Sequence, residues 1–141
     1  MLFNTMQING ITTELEVALK FIEKGYIVSV PYGNNSRYDL LVDTDKNIYR
    51  IQVKHASLKE NGSYIIDTCN KVATTTQRKV KHYMKEDIDF IASIIEGQLV
   101  LLPVELIENS RSKVMRTSLP SRGNTTSCNL IQDYTMEKYI F

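Results

Sequence analysis

Along the first part of the chain the apolar residues fall at helical spacing: Ile11, Leu15, Ala18, Leu19 and Ile22 recur every three or four positions. Thr12 or Thr13 can cap such a helix at its start and Gly25 at its end, so the pattern predicts an amphipathic helix over 11–24 with that set as its apolar stripe. Beyond Gly25 the pattern becomes β-branched and aromatic in YIVSVPY, predicting a strand at 26–31 before the turn residues GNNS. Two further β-prone runs, 37–43 and 48–56, are separated by a polar loop too short for a crossover and are therefore expected to pair antiparallel. KENGS is another turn and SYIIDT a short fourth strand, while NKVATTTQRKVKHYM reads as a loop running into a second helix at 75–84. FIASIIE and QLVLLPV flank Gly97 as two buried strands, VELIE offers one turn of helix, and the polar tail holds a short strand around Val114 to Leu119. No internal repeat or low-complexity linker interrupts the chain, so one α/β domain over 1–141 is expected, with a core at about 10–107 and a C-terminal extension at 108–141. That extension is a candidate DNA-contact or oligomer segment.

Composition narrows the class. The 141 residues suit a single core, and 43% hydrophobic with 23% charged residues is ordinary for a globular domain. No apolar run approaches the ~20 residues that span a bilayer, and the start lacks a basic region followed by an apolar one, so a cytoplasmic location without membrane contact is expected. Cys69 and Cys128 lie far apart and outside any Cys/His cluster, which favours reduced thiols over zinc or a disulfide. Seventeen basic against sixteen acidic residues give a net charge of +1, so any surface for nucleic acid must be local.

The stretch RYDLLVDTDKNIYRIQVK carries the candidate chemistry. Side chains alternate along a strand, so Tyr38, Leu40 and Val42 share one face and Asp39, Leu41 and Asp43 the other. In the partner strand Tyr49, Ile51 and Val53 oppose Arg50, Gln52 and Lys54. A loop at 44–47 pairs Asp43 with Ile48, Val42 with Tyr49 and Leu40 with Ile51, which places Asp39 opposite Gln52. A slip of one residue would mix apolar with polar faces. Asp39, Gln52 and Lys54 then converge on one patch, which on a hairpin alone is more often plain solvated surface. Glu14, at the rim of the helical stripe, changes that balance. An Asp and a Glu with a supporting amide and backbone carbonyl make a hard-oxygen site suited to Mg²⁺ rather than zinc, and an adjacent lysine suits phosphodiester hydrolysis.

The order Gly10-x-x-x-Glu14, Arg37-Tyr38-Asp39 and Gln52-x-Lys54 resembles the PD-(D/E)XK nucleases, in particular the group I intron-associated homing endonucleases and Holliday-junction-resolvase-like proteins. VPYGNNSRYDLLVD, YRIQVKHA, YMKEDIDFIA and VLLPVE extend the likeness over most of 10–107. The resemblance implies an α+β, restriction-endonuclease-like fold with an αβββαβ core, its central mixed sheet flanked by helices. It also implies a divalent metal at Asp39 and Glu14, with Lys54 as the catalytic lysine. Gln52 stands where the superfamily usually has a second acidic residue; an amide oxygen ligates but brings no charge, so metal binding should be weaker. The expected enzyme is a Mg²⁺-dependent endodeoxyribonuclease, with Mn²⁺ as a substitute metal, Gln52 and the Val53 carbonyl as further ligands, and 5′-phosphate and 3′-hydroxyl products. Homing-type recognition is preferred; a junction resolvase and a non-catalytic DNA-binding protein are the alternatives. The resembling enzymes are homo-oligomers encoded by bacteria, phages or mobile elements, so a homodimer or homotetramer is expected.

Arg37, Arg78, Lys79, Lys81, Arg116 and Arg122 are candidate DNA contacts, as hydroxyl and basic side chains near TTT could touch phosphates and Asn109, Asn124 and Asn129 could read base edges. A solvated helix face and a surface tail are the plainer readings. His55 is expected to pack, His82 is a weaker phosphate contact, and Asp87 and Asp89 read as cap or turn residues.

Overall fold

The first helix, α1 (Thr5–Glu23), begins earlier than the apolar spacing predicts, because Asn4 and Gln7 form a capping box. The Gln7 N–H donates to Asn4 Oδ1 at 2.9 Å and the Asn4 N–H to Gln7 Oε1 at 3.0 Å. Thr12 and Thr13 therefore lie inside the helix rather than at its cap, and their hydroxyls donate back to the Ile8 and Asn9 carbonyls at 2.9 and 2.7 Å. Gly25, at φ +85°, lets the chain leave the helix in a conformation that other residues rarely adopt.

The computed structural model describes residues 2–33, 35–73, 78–120, 123, 128–139 and 141, apart from the side chains of Val72, Ala73 and Arg78. After α1 come β1 (Ile27–Ser29), β2 (Leu40–Asp43), β3 (Ile48–Val53), β4 (Ala56–Leu58), β5 (Tyr64–Asp67), β6 (Cys69–Ala73) and β7 (Arg78–His82). Then follow β8 (Phe90–Ile95), β9 (Gln98–Pro103), the single-turn helix α2 (Val104–Ile107), β10 (Ser112–Arg116) and β11 (Asn129–Leu130), with short 3₁₀ turns at Ile131–Asp133 and Met136–Lys138. The expected β2–β3 register holds, with Leu40 opposite Ile51, Val42 opposite Tyr49 and Asp43 opposite Ile48.

A mixed five-stranded sheet, ordered β1-β2-β3-β8-β9, forms the centre, and only β3 and β8 pair in parallel. Parallel neighbours need a crossover, usually a helix. Here it is built from strands. Residues 78–82, expected within a second helix, form β7, which pairs antiparallel with β6. The β-branched Val72 and Val80 and the absence of an apolar i, i+4 series favour the extended form. The hairpin's base is fixed where His82 Nδ1 lies 3.1 Å from the Ser110 carbonyl and Cys69 Sγ 3.6 Å from that of Arg111. The expected strand at 48–56 also divides: β3 ends at Val53, and β4 belongs to a four-stranded second sheet ordered β11-β10-β5-β4.

The central sheet is apolar on both faces of β8 and β9, as their continuous hydrophobic runs imply. Phe90, Ala92, Leu99 and Leu101 pack with Val17 and Phe21 of α1, and with Leu40, Val42 and Ile51. Ile91, Ile95, Val100 and Leu102 pack with Ala56, Ile66 and Met115 of the second sheet. A sheet thus covers the face where a second helix was expected. Phe141 closes the α1 side, its ring centroid 5.5 Å from that of Phe90 and 6.1 Å from that of Phe21.

The apolar stripe of α1 is oriented against expectation. Thr13, Val17 and Phe21 are the buried set, whereas Ile11, Leu15, Leu19 and Ile22 are between 44% and 66% exposed. At 100° per residue the two sets lie on nearly opposite sides of the helix. The side that ends in Phe21 faces the sheet, because its ring joins the terminal aromatic cluster. Phe21→Ala should lower the unfolding free energy by about 3–5 kcal/mol, as expected for a fully enclosed ring, measured by urea denaturation.

Candidate active site

β3 continues past the point where β2 begins, and this offset builds the site. Asp39, just before β2, gives its N–H to the Ile51 carbonyl at 2.9 Å. Val53, two residues on, turns its backbone groups to the same side, where β2 has no further strand to offer. The Asp39 side chain takes that position: its Oδ2 accepts the Val53 N–H at 2.7 Å and Gln52 Nε2 at 2.6 Å. The Val53 carbonyl faces the same gap by the same alternation, and both bonds to Asp39 fall on Oδ2.

Glu14 reaches the site from the half-buried edge of α1, sharing a cleft with Asp39, Tyr38, Ser36 and Pro31. Burial raises the Asp39 pKa, although the Val53 N–H and the Lys54 charge pull it down. Burial also raises that of Glu14, and the Asp39 charge adds to it. Two desolvated carboxylates that repel each other fit a bound cation, which would relieve both effects. Among the described residues no group of three His, Cys, Asp or Glu side chains gathers, so the donors here are two carboxylates, an amide and a carbonyl. All of these can present hard oxygens.

Lys54 extends beyond Val53 toward the β6–β7 hairpin. Its Nζ donates to Asn70 Oδ1 at 3.1 Å and lies 5.4 Å from the centroid of the Tyr83 ring. The Tyr83 hydroxyl donates to the same Asn70 oxygen at 2.7 Å. An ammonium can only donate, so the amide atom facing it must be the oxygen. Burial lowers the Lys54 pKa, with the Asp39 charge opposing, and burial raises that of Tyr83 well above the usual phenol range.

The expected Glu14, Asp39, Gln52 and Lys54 are therefore brought to one place, with one difference in detail. The Gln52 amide turns its nitrogen, not its oxygen, to Asp39. Asn70 and Tyr83 were not anticipated, because only the crossover brings them near Lys54. Arg37 lines the neighbouring cleft with Gln52, Asn70, Lys81, Tyr83 and Asp87, and donates to the Glu86 carbonyl at 3.1 Å. Lys79 and Lys81 share the hairpin face of Tyr83 by alternation, and Lys81 pairs with Asn70. Arg78 is on β7 opposite Ala73, while Arg116 lines a separate cleft with Asn61 and Gly62. Arg122 and Asn124 lie outside the described residues. His55 Nδ1 is 3.1 Å from the Thr13 hydroxyl. Asp89 accepts the Arg50 N–H at 2.7 Å and Asp87 that of Met84 at 3.2 Å, both structural roles.

A family model described as PD-(D/E)XK endonuclease matches residues 4–137. The chain belongs to the PD-(D/E)XK endonuclease family. Nucleases of this family generally use divalent metals. The solved structure of a bacterial homing endonuclease, I-Ssp6803I, is similar to this nuclease at 18% identity with a TM-score of 0.80, covering 96% of this chain and 91% of that one. That likeness confirms the restriction-endonuclease-like fold. No curated protein matches the sequence. No helix among the described residues is long and apolar enough to cross a membrane.

A carboxyl whose pKa is raised on folding adds stability below its unfolded value and loses it as pH rises through the folded one. Asp39→Asn should thus raise Tm without metal at pH values where the native carboxyl is ionised, with the gain vanishing below about pH 3.8, measured by calorimetry.

Proposed function

We propose that this nuclease is a Mg²⁺-dependent DNA endonuclease of homing type. The observation that carries the reading is the juxtaposition of the desolvated Glu14–Asp39 pair with an ammonium, Lys54, anchored by Asn70. Glu14 and Asp39 would hold the ion, and Gln52, with its amide turned to present the oxygen, and the Val53 carbonyl would complete the protein ligands. Mg²⁺, or Mn²⁺ in its place, supplies Lewis-acid charge at the scissile phosphate. Because Gln52 is neutral, binding of the ion depends more on Glu14 and on the phosphate itself.

Lys54 orients the attacking water and offsets negative charge growing on the phosphoryl oxygens. Water adds to phosphorus and the bond to O3′ breaks, leaving a 5′-phosphate and a 3′-hydroxyl. Asn70 is a positioning residue, since its amide oxygen accepts from the Lys54 ammonium and holds it. Arg37 and Lys81 line the cleft and, with Lys79 of the same strand, meet the DNA backbone; Arg78, Arg116 and Arg122 are further contacts for a long site. One site cuts one strand, so cleavage of both brings together at least two subunits, in a homodimer or homotetramer. A cytoplasmic location fits a DNA substrate.

Lys54→Ala should lower nicking of supercoiled plasmid by at least about 10²-fold with Mg²⁺, and EDTA should abolish it in the unmodified protein. Tight DNA binding without cleavage under any metal would overturn the enzyme reading, and cleavage confined to four-way junctions would replace homing by resolution. Asn70→Ala should lower kcat by about 10-fold or more and leave DNA affinity unchanged, because a misplaced group costs rate rather than binding.

A further inference from the structure

Among the described residues nothing covers the outward stripe of α1. Ile8, Ile11, Leu15, Leu19 and Ile22 are all between 37% and 66% exposed. We propose that this stripe is the surface on which a second copy of the chain docks, α1 against α1, antiparallel across a two-fold axis at Leu15.

The spacing argues for a self-pair. The stripe is palindromic: Ile11 and Leu19 lie four residues on either side of Leu15, and Ile8 and Ile22 seven. Antiparallel pairing about that centre therefore sets Leu15 against Leu15, Ile11 against Leu19 and Ile8 against Ile22. Apolar meets apolar at every level, which is what an isologous interface requires. The intervals of three and four are those at which side chains of one helix fit between those of another.

Area points the same way. Such a stripe leaves on the order of 500 Å² of apolar surface open, at the upper end of what single chains expose. Doubled across a two-fold axis it gives on the order of 1,000 Å², the size at which stable interfaces begin. Glu14 adjoins Leu15 on the same helix, so the axis that joins the helices also relates the two sites; this consequence rests on the nuclease reading, while the interface does not.

Sedimentation of the full chain at micromolar concentration tests it. The unmodified protein should sediment as a dimer or a multiple of one, and Leu15→Glu with Leu19→Glu should halve that mass while the circular dichroism is retained. The same variant should still nick one strand but lose most double-strand cleavage. Should the double variant unfold, Leu15→Cys in a Cys128→Ser background decides, because a two-fold axis at residue 15 predicts rapid oxidation to a linked dimer. A monomeric unmodified protein, a mass unchanged by the folded variant, or no Leu15→Cys link would overturn the proposal. A monomer that cleaves DNA defeats the interface alone, and a dimer that cleaves nothing defeats the nuclease reading alone.

Discussion

Everything at the site depends on one hydrogen bond, that from the Val53 N–H to the Asp39 carboxylate. It exists because β3 outlasts β2, leaving a backbone donor at the sheet interior without a strand partner. A buried N–H must be satisfied. The carboxylate that satisfies it is thereby held half-buried, with its pKa raised, facing a second carboxylate from α1. The ladder from Leu40 to Asp43 fixes the height at which this happens.

The parallel pairing of β3 with β8 supplies the rest. It requires a crossover, and this chain builds one from two hairpins instead of a helix. The first hairpin starts the second sheet, which covers the far face of β8 and β9. The second returns to the end of β3 and brings Asn70 and Tyr83 to Lys54. The lysine is held by an amide oxygen and an aromatic face, neighbours that are themselves uncharged. Desolvation works against the three charged groups there, raising Asp39 and Glu14 and lowering Lys54. A site that costs stability when empty is one that gains from its ligands.

Much of this was legible in the sequence. The β2–β3 register and its polar patch followed from period-two alternation, since any slip would have placed charges among the core residues. The buried strands β8 and β9 followed from their continuous apolar runs. The helix-to-hairpin error arose in a segment with basic and β-branched residues and no periodic stripe, where local preference is weak and the fold decides.

By itself, then, the sequence determined which residues share a strand face, and with that the meeting of Asp39 with Gln52, because alternation and turn chemistry are local. Only the tertiary structure decided which side of α1 faces the sheet. The helix is apolar on two sides, and the choice between them rests on the Phe21 ring meeting Phe141 from the far end of the chain. The same holds for Asn70 and Tyr83. Their approach to Lys54 spans the crossover, and a contact made across so many residues leaves no mark in local spacing.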